Sequence, residues 1–222
     1  MSFGKFLVAS NGGVSVYAAK CGHIDTNVGF IENVERSEAV LIDASFGSFA
    51  ASKKILSHGT KVIAVFFTHG HWDHIGDGHI FRNLGATTHA HGKDRAFIER
   101  PQLMAMFAGI EDELVPCGID VDVEDGDEVS VGGWLRVSCR WVPGHAAGDL
   151  VFYLEDLGCA FTGDTLFAGC IGRTDLPGGD EQLLIDGIKR KILTLPNDIT
   201  VIPGHGRHTT VGYEKANNEF FA

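Results

Sequence analysis

The sequence predicts an α/β fold in which β-sheets pack together and helices lie outside them. Short apolar runs typical of strands occur in an early and a late batch, and stretches with helical periodicity lie between them. Several of these apolar runs lead directly into a segment with a histidine or an aspartate. We therefore expect the strand ends to meet along one edge of the packed sheets and to form a polar site there.

The early part of the chain alternates predicted strands with predicted helices. Apolar residues recur with helical spacing over residues 49–56 and 78–84, which predicts a helix in each stretch. Ser48 stands directly before the first helix and is expected to cap it. The early strands are predicted at residues 14–17, 29–31, 39–43, 62–67 and 86–90.

The later part adds one long helix and the second batch of strands. Residues 93–108 are predicted to be helical but interrupted, because Pro101 cannot continue a helix without losing a hydrogen bond. Residues 124–127 predict the turn of a hairpin. An amphipathic helix is predicted over residues 181–193 from the spacing of its apolar side chains. The later strands are predicted at residues 134–142, 150–154, 159–161 and 199–202.

Composition and charge narrow the classes of function. The 222 residues are 44% apolar and 21% charged, and they show no repeat or linker, so we expect one domain over residues 1–222. A net charge of −11 without a basic stripe argues against a nucleic-acid partner. No apolar run reaches about 18 residues, which argues against a membrane partner. The start of the chain resembles no signal segment, and the five widely spaced cysteines predict no disulfide framework, so a cytoplasmic protein is expected.

The densest group of polar residues is the pattern His-x-His-x-Asp-His at residues 69–74. It directly follows the apolar run 62–67, which predicts a buried strand. Placing four titratable groups beside such a strand costs free energy unless they are paired or bind a metal. Gly70 allows a turn tight enough for the flanking imidazoles to face one point, and imidazole is the commonest protein ligand for zinc and similar ions. The metal ligands predicted in this pattern are His69, His71, Asp73 and His74.

Three further residues share one sequence context. His145, Asp164 and His205 each follow a glycine, and an apolar run precedes each glycine. The common context indicates that these residues converge on the same place as the first pattern. Together the seven residues supply five imidazoles and two carboxylates, about what two transition-metal ions need with positions left open for water. Open positions are typical of a catalytic rather than a structural metal site.

The order of these motifs resembles the metallo-β-lactamase superfamily, whose fold is a four-layer αββα sandwich. The resemblance implies two divalent metal ions, with zinc the first candidate and iron or manganese as alternatives. One ion would take His69, His71 and His145, and the second would take Asp73, His74 and His205. Asp164 would bridge both ions together with a water or hydroxide.

A narrower resemblance rests on residues 161–167, on Gly172-Arg173-Thr174-Asp175 and on residues 202–206. These segments are similar to the short bacterial-type hydroxyacylglutathione hydrolases, also called glyoxalase II. The resemblance implies hydrolysis of a small-molecule thioester such as S-lactoylglutathione by a metal-bridging hydroxide. Asp73 would then also be catalytic, because it lies at the second metal and would orient the hydroxide or move a proton.

The sequence departs from that family in two places. Only seventeen residues follow His205, too few for the helical domain that contributes to glutathione binding. Arg173 and Asp175 replace the usual lysine and tyrosine. Arg173 either grips a substrate carboxylate through a bidentate pair or forms a salt bridge with Asp175. His91, at the end of the predicted strand 86–90, is a second candidate for substrate binding, at the pocket rim.

The sequence leaves two other functions open. Residues 172–175 also resemble the persulfide dioxygenases, oxidoreductases that use a single iron and molecular oxygen. The residues of a second metal site favour hydrolysis over that mononuclear chemistry. Hydrolysis of a lactone or another ester by the same hydroxide is the further alternative. Fifteen phenylalanines allow a buried interface, so an oligomer is possible.

Overall fold

Two β-sheets form the inner layers of the molecule. The computed structural model describes residues 6–104 and 114–221, and fifteen strands lie within these ranges. In chain order they are β1 (Phe6–Asn11), β2 (Val14–Cys21), β3 (Thr26–Asn33), β4 (Glu38–Ile42), β5 (Lys61–Phe66), β6 (Thr87–Ala90), β7 (Val121–Asp122), β8 (Glu128–Val131), β9 (Leu135–Trp141), β10 (Leu150–Leu154), β11 (Cys159–Gly163), β12 (Leu166–Phe167), β13 (Cys170–Ile171), β14 (Thr200–Pro203) and β15 (Thr209–Thr210).

The first sheet has the order β1-β2-β3-β4-β5-β6-β7, and the second has the order β15-β14-β11-β10-β9-β8. Strands β4 to β7 run parallel, and so do β11 and β14, so the segments that follow them leave each sheet at one edge. Backbone hydrogen bonds connect the sheets at this edge. Asn27 N–H donates to the carbonyl of Gly204 at 2.7 Å, and Leu150 N–H donates to that of Thr68 at 2.8 Å.

Helices cover the outer faces of both sheets. In chain order they are α1 (Ser48–Ile55), α2 (Trp72–Ile75), α3 (Gly78–Asn83), α4 (Arg95–Glu99), α5 (Glu181–Lys191) and α6 (Val211–Asn217), and short 3₁₀ helices occupy Gly92–Asp94 and Glu155–Leu157. Ile55 of α1 and Phe81 of α3 pack with the outer face of the first sheet. Leu184 and Ile188 of α5 pack with the second. No helix in residues 6–104 or 114–221 is long and apolar enough to span a bilayer.

The largest hydrophobic core lies between the two sheets. Phe66 of the first sheet meets Phe152 of the second edge-on, with ring centroids 5.2 Å apart. Gly29 permits the closest approach of the sheets, because a Cβ at this position would collide with the ring of Phe161. Helix, sheet, sheet and helix thus follow one another across the molecule, and the predicted four-layer αββα sandwich is confirmed.

Two local predictions are wrong for reasons that involve tertiary contacts. Gly47, with φ 81°, is the N-cap of α1, and Ser48 is its first helical residue. The cap comes from farther along the chain, because Asp77 Oδ2 accepts the N–H of Phe49 at 2.9 Å. The turn at residues 124–127 connects β7 of the first sheet to β8 of the second. The hairpin instead pairs β8 with β9 and turns at residues 132–133.

The predicted helix over residues 93–108 is seen in part. A 3₁₀ turn at Gly92–Asp94 leads into α4, which ends at Glu99, before Pro101 as the sequence indicates. Residues 105–108 of that prediction lie outside the described residues. The helices predicted over 49–56, 78–84 and 181–193 are confirmed with shifts of one or two residues at their ends.

One buried histidine in β6 lies in an apolar environment. The ring of His89 stacks on Phe66 at 4.3 Å, and Nε2 lies 3.0 Å from Thr87 Oγ1. Burial lowers the pKa of His89 from 6.5 to about 4. The folded protein therefore holds His89 neutral in a pH range where the unfolded chain binds a proton.

His89 should therefore make the protein acid-sensitive. Its contribution to stability is complete above pH 6.5 and is lost as the pH falls towards 4. The shift corresponds to a loss of about 3 kcal/mol in the free energy of unfolding. His89→Phe retains the stacked ring and should lose less stability than the wild type between pH 7.5 and 4.5 in urea unfolding. His58→Gln, at an exposed position, is the control, and parallel pH curves for His89→Phe and wild type would contradict the assignment.

Candidate metal centre

All seven predicted ligands meet at the edge where the parallel strands end. Their side-chain nitrogen and oxygen atoms form three overlapping groups, and within each group the atoms lie within 4.8 Å of one another. Asp164 belongs to the middle group, and its carboxylate lies 3.4 Å from His74, 3.7 Å from His145 and 3.6 Å from His205. The groups are His69, His71 and His145; His69, His74 and Asp164; and Asp73, His74 and His205.

Four of the histidines have Nδ1 occupied on the side away from the cluster. The partners of His145 and His205 are the backbone carbonyls of Arg173 and Ile24, at 2.8 Å and 3.2 Å. A carbonyl only accepts, so Nδ1 of these rings carries the proton and Nε2 keeps its lone pair towards the cluster. The remaining Nδ1 contacts are His74 with Asp43 Oδ2 at 2.8 Å and His69 with Thr68 Oγ1 at 3.1 Å.

Asp43 is the centre of this outer hydrogen-bond network, and the sequence did not single it out as a site residue. Its buried carboxylate accepts the backbone N–H of Thr68 at 2.8 Å, the hydroxyl of Thr68 at 2.9 Å and Nδ1 of His74. The Thr68 hydroxyl proton therefore points at Asp43, which leaves Oγ1 free to accept from His69. Asp43 directly follows an apolar run, and the ligand motifs also follow apolar runs. This shared context is the one feature of the sequence that points to Asp43.

Two more buried carboxylates fix the loops that carry ligands. Asp94 accepts the N–H of Gly70 at 2.9 Å and that of Gly148 at 2.8 Å, so it ties the first ligand loop to the loop after His145. Asp149 accepts the N–H groups of His145 and Ala146 at 2.9 Å and 2.6 Å. Burial raises the pKa of both carboxyls, and the charge of Asp94 adds to the effect at Asp149. Neither residue lies in a recognisable motif.

The cluster as a whole requires positive charge. Burial lowers the pKa of His69 well below its ordinary value and that of His71 to about 3, which keeps both rings in the neutral form that binds metals. Burial also opposes a charge on His74, but three surrounding carboxylates, above all Asp73, raise its pKa well above the ordinary range. For Asp73 and Asp164, burial is the largest single effect and raises the pKa, but the neighbouring histidines, above all His74, together outweigh it and lower the pKa of each.

The donor set fits divalent metal ions. The buried atoms Nε2 of His69, Nε2 of His74 and Oδ1 of Asp164 have no hydrogen-bond partner. His71 Nδ1 and His145 Nε2 face each other at 2.9 Å, a distance at which two ring nitrogens share a proton or a cation. Imidazole and carboxylate are the ligands that zinc, iron and manganese use. Gly204 keeps the bridge position open, because a Cβ there would collide with Asp164 Oδ1.

A cavity of about 610 Å³ opens onto the cluster. This size is within the range of small-molecule sites. Apolar side chains form much of the wall, and Arg173 lies beside them. The lining residues are Ile24, His71, Trp72, Asp73, Met104, His145, Asp164, Phe167, Arg173, Leu176 and His205.

The two predicted substrate-binding residues have different outcomes. Arg173 lines the cavity, but its guanidinium forms a bidentate pair with Asp175, with both distances 2.7 Å. His91 does not line this cavity, so its assignment to substrate binding is withdrawn. Its buried ring stacks on Trp141 at 5.2 Å, and its Nε2 lies 3.4 Å from Glu124. The packing against β9 explains why His91 is unavailable to a substrate.

Replacing Asp94 should loosen the metal centre without removing a ligand. In Asp94→Asn, the amide NH₂ would face one of the two N–H donors, so one ligand loop loses its acceptor at a cost of about 1–3 kcal/mol. We expect metal affinity, measured by competition with a chelator, to fall by about 10–100-fold. Asp198→Asn, at an exposed position, is the control. Unchanged metal affinity alongside reduced stability would show that Asp94 only supports the fold.

Comparison with known proteins identifies the family. The sequence profile of the metallo-beta-lactamase superfamily matches residues 22–205. Hydroxyacylglutathione hydrolase GloC of Haemophilus influenzae is 32% identical over 194 residues, which cover 84% of this chain and 88% of that protein. The probable metallo-hydrolase YqgX of Bacillus subtilis is 30% identical over 202 residues, which cover 90% of this chain and 93% of that protein.

Solved structures give the same result. BLEG-1 B3 metallo-beta-lactamase superimposes with a TM-score of 0.85 at 31% identity, covering 93% of this chain and 99% of its own. TTHA1623 in a di-iron-bound form gives 0.72 at 30% identity, with 97% and 99% covered. ETHE1 from Myxococcus xanthus gives 0.68 at 26% identity, with 99% and 84% covered. The profile, the relatives and the fold together show that the chain belongs to the metallo-beta-lactamase superfamily.

Proposed function

We propose that the chain is a binuclear metal-dependent hydrolase that cleaves thioesters of small thiols. The observation that carries the proposal is the continuous ligand cluster, in which Asp164 lies between two sets of histidines at the base of an open cavity. The hydroxyacylglutathione hydrolase from Haemophilus influenzae supports this chemistry, since it matches most of both chains. S-lactoylglutathione is therefore the first substrate to be tried.

The residues divide into two proposed binding sets. His69, His71 and His145 would hold one cation, and Asp164 would bridge to a second cation held by the remaining ligands, Asp73, His74 and His205. Bound there, two divalent ions such as zinc, iron or manganese would lower the pKa of a water molecule and polarise the carbonyl of the substrate.

Asp73 has a further proposed role in moving a proton. Its Oδ2 lies 3.2 Å from Nε2 of both His74 and His205, and the hydroxyl of Thr26 donates to it at 3.0 Å. The hydrogen bond from Thr26 fixes the carboxylate beside the cavity that it lines. From this place Asp73 would orient the attacking water or move its proton. The reaction replaces the carbon–sulfur bond with a carbon–oxygen bond and releases a carboxylate, a thiol and a proton.

A persulfide dioxygenase is the second candidate, because residues 172–175 resemble those enzymes and ETHE1 from Myxococcus xanthus shares the fold. That chemistry requires one iron. A second position is surrounded by Asp73, His74 and His205. A site for one metal ion gives these three residues no role, so their arrangement favours the hydrolase. Hydrolysis of lactones or other esters would use the same metal ligands. Assays with different substrates distinguish it from thioester hydrolysis.

Metal analysis combined with substrate assays tests the proposal. Purified protein should contain about two divalent ions per chain and should lower the thioester absorbance of S-lactoylglutathione or of an uncharged thioester. One iron per chain, no thioester loss and oxygen uptake with glutathione persulfide would replace the hydrolase by the dioxygenase. If the protein contained two ions and hydrolysed only a lactone, the metal site would stand and thioesters would be rejected as the substrate class.

Removal of the bridging carboxylate should disable both metal positions. Asp164→Ala is expected to lose at least one ion per chain and to lower kcat/KM by more than about 100-fold, the upper end of what loss of an outer-shell partner costs. Metal content by mass spectrometry and thioester assays measure the two effects. Asp198→Asn provides the control. Full metal content and full activity in Asp164→Ala would contradict the assignment.

A further inference from the structure

The wall of the cavity beside the metal centre is largely apolar. Five of its residues that are not predicted ligands are Ile24, Trp72, Met104, Phe167 and Leu176. Met104 and Trp72 are buried, at 1% and 9% exposure, so they are fixed parts of the wall. A substrate that enters this space therefore exchanges water for apolar contacts on most sides.

The same wall offers little to a charged substrate. Arg173 is the one lysine or arginine that lines the cavity within residues 6–104 and 114–221, and its Nε and Nη2 each donate to the carboxylate of Asp175 at 2.7 Å. Residues 105–113 contain no lysine or arginine in the sequence. A carboxylate that approached Arg173 would compete for the guanidinium with the Asp175 carboxylate, which already holds the bidentate position at Nε and Nη2 and balances the charge.

We infer that the cavity selects thioesters whose acyl group and thiol are both apolar and uncharged, an inference that rests on the proposed thioesterase function. Glutathione carries two carboxylates and an ammonium group, and the one cationic side chain of the described wall already pairs with the carboxylate of Asp175. Leaving such a charge near an apolar wall without a partner costs affinity. The apolar ring of an arylacetyl group would instead pack between side chains such as Trp72 and Leu176.

A matched pair of substrates tests the inference. The phenylacetyl thioesters of glutathione and of N-acetylcysteamine share the acyl group and the scissile bond, and they differ in the charge of the thiol. We expect the metal-loaded protein to hydrolyse the N-acetylcysteamine ester with a kcat/KM at least about tenfold higher. An equal or higher kcat/KM for the glutathione ester would overturn the inference while leaving the thioesterase function intact. No hydrolysis of either ester by protein with both metal positions filled would overturn the proposed function itself.

Variants of the Arg173 pair test the reason for the selectivity. Asp175→Asn frees the guanidinium to bind a carboxylate, so kcat/KM for the glutathione ester should rise by about 5–10-fold, mainly through a lower KM. The kcat/KM for the N-acetylcysteamine ester should stay within about twofold. Leu176→Lys places a new cation on the apolar wall and should shift the preference in the same direction. If neither variant changed the preference for the N-acetylcysteamine ester, the charge of the wall would not be the cause of that preference.

Discussion

The desolvation of the ligand cluster is the constraint on which the rest of this structure depends. Five imidazoles and two carboxylates lie within a few ångströms of one another, and all except His205 are buried. The protein satisfies the outer atoms of these groups with carbonyls, a hydroxyl and the carboxylate of Asp43, and it leaves inner atoms such as Nε2 of His69 without a partner. A cation at the centre would resolve this imbalance, because it would replace the water that the ligands lost and offset the charge of the carboxylates.

The layered fold provides the rigidity that such a cluster needs. Ligands follow β5, which runs parallel to β4 and β6, and they follow β11 and β14, which run parallel to each other, so the sheets deliver them to one edge. The strands alone do not fix the loops that connect them. Asp94 connects Gly70 to Gly148 and so sets the distance between ligand loops from different sheets, while Asp149 holds the backbone at His145 within one loop. Asp94 suits this task because each of its two oxygens accepts one backbone N–H.

Local sequence patterns predicted packed sheets with helices outside, and they predicted the set of residues that the structure gathers. The four layers followed from the family resemblance, and neither source indicated the residues that support the site. The pattern at residues 69–74 was visible because its polar groups are adjacent in the sequence. Asp94 gains its role from partners on distant loops, which no local pattern encodes. Contacts with distant residues also explain the errors in the predictions for Ser48 and His91. Ser48 lost its capping role to the distant Asp77, and His91 is covered by Trp141, fifty residues away.

Arg173 connects the geometry of the metal centre to the choice of substrate. Its backbone carbonyl orients His145, while its side chain stands at the cavity wall in a bidentate pair with Asp175. The two functions belong to different atoms, so they can change separately. A substitution at Asp175 alters the charge that a substrate meets without moving the carbonyl, whereas an insertion in this segment would disturb His145 as well. Selection for new substrates can therefore act on side chains of the wall at little cost to the metal ligands, provided that the backbone from residue 172 to residue 175 keeps its path.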